Sequence, residues 1–140
     1  MRLSRSNAVV AAVLLASLLA CGDGLTAPAG AVLGTFGGPL LGVKADRRFV
    51  LIQLPCAAAI VEANITPDAD GRFLLPEAQI LGDRARSVTV ELTGQVSGDR
   101  MEAVIRTRSP YATNVATYTI ARAQPADFSR VNCAAEMAAP

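Results

Sequence analysis

The sequence predicts an all-β protein: a small antiparallel β-barrel whose strands meander in chain order, with a two-sheet sandwich as the alternative. Three observations predict it. Apolar residues recur with a period of two in several segments, and no segment carries a convincing period of 3.6. Those segments hold Val, Ile, Thr and Leu, while Gly, Pro, Asp and Asn gather between them. The segments number about seven or eight, at spacings of about 8–15 residues, which suits sequential hairpins joined by tight turns.

In chain order, Ala31–Phe36 and Leu40–Val43 read as a first strand broken by Gly37-Gly38-Pro39. Phe49–Leu54 is apolar on both faces, predicts a deeply placed strand, and is stopped by Pro55. Ala59–Ile65 follows, with Val61, Ala63 and Ile65 opposed to Ile60, Glu62 and Asn64. Pro67-Asp68-Ala69-Asp70-Gly71 is a turn into the strand Arg72–Leu75. The clearest alternation is Ser87–Thr93, where Val88, Val90 and Leu92 share one face, and its parity runs on to Val96. Ser97-Gly98-Asp99 supplies a hairpin turn and Met101–Arg106 alternates again. Ser109–Asn114 reads as a loop, Val115–Ile120 as the third strand of a meander, and Phe128–Cys133 as a short last strand. The strand succession is loosely similar to that of small lipocalin-like domains, although the chain contains no tryptophan and so lacks their Gly-x-Trp opening.

Length bounds the rest. The chain has 140 residues, enough for one domain with a modest core. With aromatics at only 4%, that core must rest on Val, Ile and Leu.

The N-terminus carries a different signal. Arg2 and Arg5 precede an uncharged run from Ala8 to Ala20, which is 13 residues long and too short to span a membrane stably, since about 20 are needed. The run ends in Leu18-Leu19-Ala20-Cys21, which resembles the lipobox of bacterial lipoproteins. The resemblance covers residues 1–21. It implies that the Cys21 sulfur receives diacylglycerol, that cleavage falls between Ala20 and Cys21, and that the new amino group is acylated. Gly22 in the next position, where a retained lipoprotein has Asp, implies an outer-membrane location facing the periplasm. Two other outcomes stay open: an uncleaved anchor helix, and ordinary secretory cleavage after Ala27-Pro28-Ala29. Residues 21–30, rich in Gly, Ala and Pro, read as a flexible tether, leaving 31–140 as a single β domain.

Removing residues 1–20 takes two of the 13 basic residues, so eleven face 12 acidic ones and the net charge becomes −1. The arginines are interleaved with carboxylates, and no basic footprint for nucleic acid remains. With Cys21 lipidated, Cys56 and Cys133 are an even pair in an oxidising compartment, and a disulfide joining an early strand to the C-terminal end is the natural reading. A reactive thiol is the alternative, but the chain has no His to activate it and no CxxC spacing.

The absence of histidine also removes Ser-His-Asp and Cys-His catalysis and imidazole zinc ligation. Asp68 with Asp70, and Glu77 with Asp83, are carboxylate pairs in turn-like segments, where solvated acids are expected. Asp68-Ala69-Asp70-Gly71 opens like a calcium loop but lacks the later ligands. No cofactor or metal is expected. Arg84, Arg86, Arg106 and Arg108, with Tyr111 nearby, form either a patch for an anionic partner or a charged guard on strand edges.

Two classes of function remain. One is a binding or interaction module, holding an apolar small molecule inside the barrel among Val61, Val88, Val90, Leu92, Met101 and Ile105, or docking an envelope protein on its surface. The other is an envelope enzyme or enzyme inhibitor without a recognisable motif.

Overall fold

The computed structural model describes residues 30–82 and 87–133. Among these described residues nine strands form: β1 (Gly34–Gly38), β2 (Leu41–Ala45), β3 (Val50–Leu54), β4 (Ala57–Val61), β5 (Arg72–Leu74), β6 (Ala78–Leu81), β7 (Thr89–Ser97), β8 (Arg100–Arg108) and β9 (Thr113–Arg122). Eight of them, β1 to β4 and β6 to β9, pair antiparallel in chain order and close where β9 meets β1. The fold is therefore the meandering barrel, not the sandwich. The extra strand β5 shares one edge of β7 with β6: Leu74 pairs with Thr93 while Ala78 pairs with Val90.

The alternation that predicted the strands sorts their side chains. On β7, Val90 and Leu92 are fully buried and Thr89, Glu91 and Gln95 are not. On β8, Met101, Ala103 and Ile105 point inward, with Arg100, Glu102 and Arg106 exposed on the outer face. Across the sheet these inward residues join Phe36, Val43, Val50 and Ile52 in one apolar cluster. Burial of this kind contributes roughly 25 cal/mol per Å² and is the main source of stability.

Four expectations are corrected. Residues 31–43 are two strands, not one broken strand, because Pro39 and Leu40, the latter with φ of 66°, turn the chain fully back so that Gly38 pairs with Leu41. β3 is not deep on both faces: Leu51 and Gln53 are half-buried, since only the inner face of a closed barrel is covered. The strand expected at Ala59–Ile65 is Ala57–Val61, and Ile65 adds a single bridge to Val32. No strand forms over Phe128–Cys133, which follows the outside of the barrel instead. The sequence also gave no forewarning of β6, a four-residue strand with only Ile80 buried.

The C-terminal segment makes a strap. Ala123, at φ 59°, reverses the chain after β9, and its N–H donates to the Thr35 carbonyl at 2.7 Å. The strap then crosses the outer face of β1 and β2 at Gly37 and Gly42, which pair with each other. A Cβ on Gly37 would lie 2.4 Å from the Gln124 carbonyl oxygen, and one on Gly42 2.8 Å from the Ala126 Cβ. Only glycine lets the strap lie this close. Asp127 donates to and accepts from the β1–β2 turn, at 3.0 Å from both Gly38 O and Leu40 N. The strap ends at the Cys133–Cys56 disulfide, which closes a separation of 77 residues.

Candidate interaction surface

The barrel has two ends of different character. At the entry end, residues 30–33 lead into β1, and the turns between β2 and β3 and between β7 and β8 lie beside them. This end is closed. Val32 donates its N–H to the Ile65 carbonyl at 2.8 Å, and Ile65 is fully buried. Arg122 lies over the Phe36 ring at 4.6 Å, donates to the Leu33 carbonyl at 2.7 Å, and pairs with Asp99 at 3.3 Å. Stacking a guanidinium on an aromatic face suits a group that must cover apolar surface and still reach water. Sequence reading missed this role of Arg122, because nothing local to residue 122 signals a partner 86 positions away in Phe36.

The far end carries the turns at Pro39–Leu40 and Pro55–Cys56 and the loop between β8 and β9. Here large apolar side chains meet water: Leu40, Leu81 and, at 97% exposure, Tyr111. The Tyr111 loop is nevertheless well tied. Ser109 N–H donates to the Ala112 carbonyl at 2.8 Å, and the Ser109 hydroxyl accepts from Ala112 N–H at 3.0 Å. A tyrosine held out on a braced loop is the form of contact group that loses little entropy on binding.

The other residues singled out from sequence are not brought together. Arg106 pairs with Glu91 at 3.5 Å and Arg108 with Glu77 at 3.7 Å, while Glu77 also accepts from the Thr89 hydroxyl. Exposed pairs of this kind contribute little to stability, but they neutralise the cations, which argues against an anion patch, and β8 is paired with β7 on one side and β9 on the other, so Arg106 and Arg108 guard no strand edge either. Arg84, Arg86, Asp83 and Cys21 lie outside the described residues. Asp68 accepts the N–H groups of Asp70 and Arg72 at 2.9 and 2.8 Å, an Asx-turn that consumes its carboxylate locally. Among the described residues no group of three or more His, Cys, Asp or Glu is placed to hold a metal. The carboxyl of Asp127 is held below its ordinary value, first by the Ser129 hydroxyl, then by the Ser129 N–H, with Arg130 adding a smaller pull.

Val90, Leu92 and Met101 are 0% exposed and Val61 and Ile105 are 4% exposed, with Val88 half-buried against them. No polar or charged residue is buried among those described.

No family model, curated protein or solved structure matches the chain.

The surface is therefore read from its own chemistry. An eight-stranded barrel is just wide enough for side chains to fill, and a ligand pocket needs a few convergent polar groups to orient its occupant. The inward residues here supply apolar bulk and no such groups. Open to a partner are the outer face of β7 to β9 and the far-end loops, with Leu33, Ile60 and Leu74 exposed elsewhere.

Proposed function

We propose that the chain is an exported lipoprotein of the cell envelope, anchored through Cys21 to the outer membrane on its periplasmic side, and that its barrel is an interaction module for an envelope protein. The observation that carries the location is the N-terminal pattern of Arg2 and Arg5, an uncharged run, and Leu18-Leu19-Ala20-Cys21. A Cys56–Cys133 bond supports it, because such bonds persist in oxidising compartments. The anchor works by area: one acyl chain binds a membrane only marginally, whereas two or three make attachment persistent. The surface role is supported by the apolar packing of the interior together with the exposed Leu40, Leu81 and Tyr111 at the far end.

Attachment sets an orientation. Eight residues lie between Cys21 and Gly30, a reach of at most about 30 Å when extended. The tether would join the barrel at its entry end, so the far-end loops point away from the lipid. The test is a Cys21→Ser variant expressed beside the native chain. Loss of acyl labelling and of membrane fractionation is the expected result; unchanged labelling and fractionation would remove the proposal. Native mass spectrometry of the mature chain, released gently from membranes, separates the two binding roles: a co-purified protein fits the surface reading, and a stoichiometric apolar small molecule contradicts it.

A further inference from the structure

Among the described residues, one long edge of the barrel has no strand beside it. β8 pairs with β9 from Thr113 to Ala121, but β1 pairs with β9 only at Arg122 and Ala121. At Gly38 the chain turns away through Pro39–Leu40 into β2, so residues 113–118 run past the end of β1. Backbone bonding directions alternate along an antiparallel strand. Ala121 faces β1, as does Ala123, whose N–H reaches Thr35. Thr113, Val115 and Thr117 share that parity and present their N–H and C=O groups to the same side. Among the described residues, 113–118 make no backbone hydrogen bond except those to β8.

Exposed edges are normally guarded by charge, proline or a bulge. This one has no such guard. Thr113-Asn114-Val115-Ala116-Thr117-Tyr118-Thr119 contains no charged residue, no proline and no glycine, whereas the neighbouring strand β8 carries Arg100, Glu102, Arg106 and Arg108 on its outer face. Val115 is 57% exposed.

We infer that this edge pairs with a second copy of the chain, β9 against β9 about a two-fold axis at Val115. An isologous pairing must be self-complementary, and here it is. Val115 meets the partner's Val115, and Thr113 meets the partner's Thr117, with about six backbone hydrogen bonds made and no like charges opposed. The same register carries the Tyr111 loop alongside the partner's Thr119. There each copy has an outer cleft floored by Gly37, Gly38 and Pro39 and bordered by Arg100, Thr119 and Gln124. The exposed tyrosine and this cleft are thus brought side by side at both ends of the pairing. β7, β8 and β9 of the two copies become one continuous six-stranded sheet. The inference does not depend on lipid attachment.

The test uses the full mature chain in mild detergent. Sedimentation should give twice the chain mass for the native protein. Val115→Pro removes an N–H that faces the edge and not β8, and proline is tolerated at such positions. It should weaken the dimer by about tenfold or more while circular dichroism stays unchanged. Val115→Cys should cross-link two copies under mild oxidation, and Ala116→Cys, whose backbone faces β8, should cross-link far less. A native chain that stays monomeric at every soluble concentration would overturn the inference. So would a dimer that Val115→Pro leaves intact, a Val115→Cys variant that captures only another protein, or a monomer whose Val115 amide resists hydrogen exchange because some other segment of the chain covers it.

Discussion

The β1–β4 side and the β7–β9 side of this barrel are built from the same chemistry and finished differently. The first uses strands of five residues each, and its outer face at β1 and β2 is covered by a strap seated on Gly37 and Gly42 and locked by Cys56–Cys133. The second uses strands of nine, nine and ten residues and, among the described residues, bears no strap and ends in an uncovered edge. Short strands share few ladder hydrogen bonds with each neighbour, and cross-links from a distant part of the chain complete them. Long hairpins hold through their own ladder and leave backbone over for a partner. Stability and recognition are thus divided between the two sides.

The strongest way to break the division is to remove the residue where both sides meet. Phe36 pairs with Val43 on one side and Arg122 on the other, and carries the Arg122 guanidinium. Phe36→Ala should cost about 3–5 kcal/mol by denaturant unfolding, and a loss under 1 kcal/mol would mean that the two sides fold without this junction. Replacing Cys56 and Cys133 together by Ser should cost about 2–5 kcal/mol. Its local signature is sharper: faster amide exchange at Ala123 and Asp127, with β8 unaffected. Gly37→Ala forces a methyl into the strap backbone and should cost about 1–3 kcal/mol, again read as exchange in the strap and not in β7–β9.

The smallest effect is a pH dependence. Asp127 titrates below its ordinary value when folded, so its contribution is present above the unfolded pKa of 3.8 and is lost as pH falls through the lower folded value. Ser129→Ala removes the main cause. Urea midpoints measured down through this acid range should fall less steeply with decreasing pH in the variant than in the native protein, and identical curves would show that the strap does not depend on this contact.

Much of the barrel was legible because period-2 alternation is a direct imprint of a sheet with one wet face. Val88, Val90 and Leu92 announced β7, and Met101 to Arg106 announced β8, in the order the structure adopts. The even cysteine pair announced its own bond. Three things were not legible. β6 is too short and too exposed to carry a period, and the expected strand at Phe128–Cys133 had apolar residues that lie on the outside of the barrel. Gly37 and Gly42 read as a break in a strand, because a glycine that receives another backbone and a glycine that ends a strand look alike in sequence. The open edge of β9 could not be foreseen, since it depends on where β1 stops in space. Of the candidate site, Tyr111 was noted for its charged neighbours, whereas the structure gives those arginines to Glu77 and Glu91 and leaves the tyrosine exposed.

The covalent state of the native N-terminus tests the lipid-anchored location most directly. Intact-mass and peptide mass spectrometry of the protein isolated from membranes should find a chain that begins at Cys21 and carries diacylglycerol and an amide-linked acyl group. A chain that still begins at Met1, or one cut after Ala29 with no lipid, would contradict it.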